Sequence, residues 1–181
     1  MIPVECPRCR LSYPVGPEWA GRHFLCRCGE VVAVPVQLDK LIAWDQREEE
    51  GVKHFSGTAT YAKQINVDPA LIGENKSVYL DLGEVKNLAQ VTVNGQDVVT
   101  LWKPPFRADI TKFVKPGANE LRVKVTNLWP NRLIGDAGLP PEQRTTWTAY
   151  DTYKKESPLL PSGLIGPVKL IPTVTVPVAA N

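Results

Sequence analysis

All four cysteines of the chain lie within its first 28 residues, as Cys6-Pro-Arg-Cys9 and Cys26-Arg-Cys28-Gly29. A Cys-x-x-Cys knuckle sets two sulfurs on one tight turn, near enough for a single metal to bind both. The second pair has only one intervening residue, and Gly29 after it supplies the permissive backbone such a knuckle needs. Sixteen residues separate the pairs, enough for short β-hairpins. Cys6, Cys9, Cys26 and Cys28 therefore read as a small zinc ribbon holding a structural Zn2+, since four protein ligands leave no open position for chemistry. The alternative is two disulfides, or reduced thiols without metal. The N-terminal MIPVECPRC shows no basic head followed by an apolar core, which predicts a cytoplasmic chain and disfavours disulfides. His23 falls in the strand-like run Arg22–Leu25 and reads as a strand residue rather than a substitute ligand.

The elements around these residues are extended. Leu11–Val15, Arg22–Leu25 and Val31–Val34 read as short strands. The segment VQLDKLIAWDQREEEGVK, residues 36–53, reads as a linker with a solvated Glu48-Glu49-Glu50 run. From His54 onward the pattern is period-2. Phe55–Val67 is a long β-rich run, Val78, Leu80 and Leu82 alternate with polar residues, and so do Leu121, Val123 and Val125. Asn94-Gly95 is a two-residue hairpin signal. Pro104-Pro105 forbids a central strand, and Lys115-Pro116-Gly117 marks a turn. Residues 128–163 show little periodicity, and such long segments are functional or packed on a partner. Leu164–Ile171 reads as a closing strand.

The chain has 181 residues with 17 prolines, 13 glycines and a net charge of +2. These numbers fit one loop-rich β domain with a small appendage. The charge is too near neutral for a nucleic-acid footprint, and no apolar run is long enough for a membrane span. The expected fold is all-β: a zinc ribbon (1–35), a linker (36–53), a jelly-roll β-sandwich (54–172) and a tail (173–181).

The motifs FSGTATYAKQINV, YLDLGEV, VTVNGQDV, PPFRADIT and PGANELRVKVTN occur in that order. This set resembles the galactose-binding-like sugar-binding domain of glycoside hydrolase family 2. With NLWPNRLIGD and SPLLPSGLIGPVKL added, the run is similar to the C-terminal domain of proteins related to family 106 α-L-rhamnosidases. The cysteine pattern also resembles N-terminal zinc-ribbon modules of bacterial proteins. The resemblance implies a carbohydrate-active context beside a catalytic barrel. Those relatives hold their catalytic carboxylates in a long upstream part, where this chain has the ribbon and linker.

Glycosidic cleavage needs two carboxylates roughly 5–9.5 Å apart across the bond. Asp81, Glu84, Asp109, Glu120 and Asp136 are available, each with a structural alternative, and Asp109 reads as a cap on the turn after it. A residual O-glycosyl hydrolase is thus the least supported reading. A non-catalytic carbohydrate-binding accessory domain, taking a rhamnose- or galactose-containing glycan, is favoured. Sugars need an aromatic platform and planar hydrogen-bonding groups. Trp102, Trp129, Trp147 and Tyr150 lie in expected loops, with Arg107, Asn131, Arg132 and Asp136 as hydrogen-bonding candidates. Against this stands packing of the same residues on the sandwich rim or on a catalytic partner, which would make the chain a structural or interaction module.

Overall fold

The structure is a computed structural model that describes residues 2–16, 23–34, 41–150 and 152–175. Two short hairpins form the N-terminal part. β1 (Ile2–Glu5) pairs antiparallel with β2 (Ser12–Val15), and β3 (His23–Leu25) with β4 (Val31–Ala33). Their small core is Val4, Val32 and Val34 packed around the buried Cys6 and Cys26.

The larger part is an all-β sandwich. One sheet runs β5 (Thr58–Val67), β11 (Gly117–Thr126), β8 (Leu88–Val93), β9 (Gln96–Leu101), with every neighbour antiparallel. The facing sheet runs β10 (Arg107–Asp109), β6 (Lys76–Asp81), β13 (Lys169–Val174). A two-stranded pair, β7 (Glu84–Lys86) with β12 (Gly163–Gly166), lies beside them. Period-2 alternation sends one side of each strand inward. Leu121, Val123 and Val125 meet Val91 and Val93 on one layer, Val78, Leu80 and Leu170 on the other, and all are buried in a single cluster. Arg122 and Lys124 face solvent. The β8–β9 hairpin turns at Asn94 and Gly95, both at positive φ. Asn94 also hydrogen-bonds the Phe113 carbonyl and Asn119 Oδ1, and it accepts from Glu120 N, so its side chain ties the turn to the neighbouring strand.

Three expectations change. First, residues 41–53 are not a free linker. Trp44 is buried, its indole stacks edge-on against Phe55 at 5.4 Å, and its Nε1 donates to the Tyr61 hydroxyl at 2.6 Å. A Cβ on Gly163 would overlap that indole, and Ser162 N donates to Asp45. The sandwich therefore begins at about residue 41, held by a segment whose apolar residues are too few to show a period. Residues 36–40 lie outside the described part, as do Arg22 and the side chain of His23. Second, the segment after β11 holds two helical pieces, α2 (Pro130–Ala137) and a 3-10 turn at Pro141–Gln143, besides the single turn α1 (Glu50–Lys53). Third, the closing strand is two, β12 and β13, broken at Gly166-Pro167, and β13 extends to Val174 against Lys76.

Candidate functional site

The four cysteine sulfurs converge. All lie within 4.8 Å of one another, with Cys6 and Cys28 at 3.7 Å and Cys9 and Cys26 at 3.4 Å. Tetrahedral ligands with Zn–S near 2.3 Å place sulfurs about 3.8 Å apart, so the set fits a four-coordinate thiophilic ion. Backbone turns build it. Arg10 N bonds the Cys6 carbonyl with Arg10 at positive φ, and Gly29 N bonds the Cys26 carbonyl with Gly29 at positive φ. The Tyr13 hydroxyl lies 3.0 Å from Cys26 Sγ. A backbone hydrogen bond from Cys28 and that hydroxyl pull the Cys26 thiol down to about 6. Cys9 also has a backbone hydrogen bond, at Leu11, favouring its thiolate, but burial and the adjacent sulfurs outweigh it and push this thiol up to about 12. A bound cation would offset that crowding of negative charge. The four cysteines can thus hold a metal ion.

The second site lies where β9 ends. Pro104-Pro105 stops strand pairing after Leu101, and the buried Phe106 anchors the loop, its carbonyl accepting from Leu82 N at 2.8 Å. Trp102, between them, is 69% exposed, with Lys103 Nζ 5.4 Å from its ring centroid. The ring borders an open cleft of about 530 Å3 that also includes Asp81, Glu84, Lys86 and Asn87. Arg107 sits opposite Asp81 in the β10–β6 register and reaches its carboxylate at 3.2 Å, while the guanidinium lies over Tyr79. Trp102 and Asp81 thus line one cleft, and Arg107 stands next to it, tied to Asp81 but not lining it.

The other sequence candidates are placed elsewhere. Asn131 is buried on α2, where its Nδ2 donates to the Leu160 carbonyl and its Oδ1 accepts from Leu160 N, at 2.7 and 2.8 Å. Asp136 is buried too. It accepts from Arg132 at 2.6 Å and from the backbone and hydroxyls of Thr145 and Thr146. Burial alone would raise its pKa, but the Thr146 and Thr145 hydrogen bonds and the Arg132 charge hold the carboxyl below the usual range. Asn131 and Asp136 thus serve as internal brackets, each at the edge of a cleft, and Arg132 serves Asp136. Trp147 and Tyr150 are exposed near a separate cleft of about 470 Å3, which shares no lining residue with the Trp102 cleft. Trp129 stands exposed at the start of α2. Asp81, Glu84 and Asn87 are the cleft residues that sequence reasoning passed over as ligands. Their only signal was position beside the turn glycine Gly83, whose Cβ would overlap Gly166.

Asp109 accepts from Thr111 and caps its turn, as expected, and the Thr111 hydroxyl and amide hold its pKa low. Among the described residues, no helix is long and apolar enough to cross a membrane.

Residues 42–154 match the family described as glycosyl hydrolase 2 galactose-binding domain-like. A protein of Formosa agariphila bearing a β-glucuronidase name is 47% identical, covering 75% of this chain and 14% of its own length. The solved rhamnosidase of Novosphingobium sp. PP1Y is 51% identical with a TM-score of 0.69, again over 75% of this chain and 13% of that one. The chain thus spans about one seventh of the length of these relatives. By the extent of the match and the sandwich that carries it, the chain belongs to the glycosyl hydrolase 2 galactose-binding-like domain family.

Proposed function

We propose that this chain is a non-catalytic, carbohydrate-binding accessory module of glycoside hydrolase type, joined to a ribbon stabilised by structural Zn2+. The exposed Trp102 on the cleft lined by Asp81, whose carboxylate Arg107 holds, carries the sugar reading. An aromatic face takes the C–H side of a pyranose, and the guanidinium and carboxylate are planar partners for hydroxyls. The occupied carboxylates support a non-catalytic role. Asp81 binds Arg107 and Gly83 N, Glu84 binds Lys86, and Asp109 and Asp136 serve their own turns. For the ribbon, four thiolates at tetrahedral spacing favour zinc, and so small a core needs a metal to stay folded.

Calorimetric titration with rhamnose and galactose tests the sugar reading. Trp102→Ala is expected to weaken binding about tenfold, ~1.4 kcal/mol, with the melting temperature unchanged. Unchanged affinity in this variant would remove the platform. A second reading, docking on a catalytic partner, is favoured by the exposed Trp129, Trp147 and Tyr150 of the segment after β11.

A further inference from the structure

We propose that the site takes a neutral oligosaccharide of three or more residues, which runs from Trp102 across Asn87 into a second cleft beside Leu128 and Leu160. This rests on the carbohydrate reading above and adds its length and charge class.

The second cleft, about 210 Å3, is bordered by Asn127, Leu128, Leu160 and Ser162. It shares Lys86 and Asn87 with the Trp102 cleft, so the two clefts adjoin at these residues. The first cleft has the size of a small-molecule site, roughly 300–1,000 Å3. The second is too small to stand as one and serves as an extension. Asn131, which also lines this cleft, holds its wall by bonding both the Leu160 N–H and carbonyl. Exposed apolar surface marks both ends, Trp102 at one and Leu128 and Leu160 at the other. At the junction, the half-buried Asn87 side-chain amide has no hydrogen-bond partner among the described residues. A primary amide offers two donors and an acceptor, which suits the paired hydroxyls of a neutral sugar.

Charge selects the class. Lys86 is matched by Glu84 at 3.2 Å and Arg107 by Asp81 at 3.2 Å. Lys103 lies against the indole. The carboxylates Asp81 and Glu84 in the cleft would repel a uronate or sulfate brought to the paired cations, whereas hydroxyls meet donors and acceptors in equal supply.

The test titrates the full chain with galactose- and rhamnose-based saccharides of one to four residues and with tri-galacturonate. The expected result is at least a tenfold gain from one residue to three, and tri-galacturonate binding no tighter than its neutral counterpart. Leu160→Ser and Asn87→Ala, each checked by thermal melting, should lower trisaccharide affinity about tenfold and abolish most of the gain with length. Equal affinity for one and three residues would overturn the extended site while leaving the Trp102 site standing. Tighter binding of tri-galacturonate would overturn the neutral class. Failure of every saccharide to bind would remove the carbohydrate reading itself.

Discussion

Asp136 illustrates how a polar side chain near loop tryptophans can belong to the fold. Its oxygens are filled by Arg132, Thr145 and Thr146, so replacing it strands a half-buried cation and four donors. Asp136→Ala should cost about 3 kcal/mol of stability. The pH dependence follows from its depressed pKa. The stabilisation is fully present above the unfolded value, about 3.9, and is lost as pH falls through the folded value. Urea unfolding of wild type and Asp136→Asn should therefore show a gap at pH 7 that narrows progressively below about pH 4. A gap independent of pH would contradict the assigned ionisation. Sequence reasoning took Asn131, Arg132 and Asp136 for ligands because α2 was not visible. Its eight residues open with proline and offer barely two turns, too few for a period to show which side chains turn inward. The exposure of Trp102 was legible because the adjacent prolines keep the loop out of the sheet.

At the scale of elements, the strands were the legible part. Period-2 runs such as Leu121–Val125 state which face is buried, and Asn94-Gly95 fixes the β8–β9 register. The segment 41–53 was not legible, since its contribution is concentrated in Trp44, which packs on Phe55 and Tyr61 nearby and on Ser162 and Gly163 more than a hundred positions away. Trp44 fills the space left by Gly163, and its backbone N bonds Ser162. Trp44→Ala should destabilise the sandwich by roughly 3–5 kcal/mol, measured by denaturant titration. A loss below about 1 kcal/mol, the range of a surface change, would return this segment to linker status. The exposed Trp147 and Tyr150 belong to the same scale. Replacing both with serine should leave the melting temperature unchanged, because neither is buried.

For the whole molecule, two cores of different character are joined. The sandwich has a single large apolar cluster, and the N-terminal hairpins have three buried valines around two buried cysteines. Their stabilities should separate accordingly. The purified chain is expected to carry about one equivalent of zinc by elemental analysis, and a strong chelator should abolish the signal of the N-terminal hairpins while the sandwich unfolds as before. Metal content below about half an equivalent would reject the zinc assignment. The cysteine cluster was readable because its sulfurs come from two short local pairs and its geometry follows from two tight turns. The Trp102 cleft was not readable as a unit, because Asp81, Glu84 and Asn87 come to Trp102 through the packing of β6, β7 and the loop after β9.

Chemical-shift mapping of the isotope-labelled chain with galactose or rhamnose tests the Trp102 cleft as the proposed sugar site most directly. The predicted result is a set of shifts at the Trp102 indole, Arg107 and residues 81–87, with Trp147 and Tyr150 unmoved. Shifts confined to residues 139–153, or none at millimolar sugar, would contradict it.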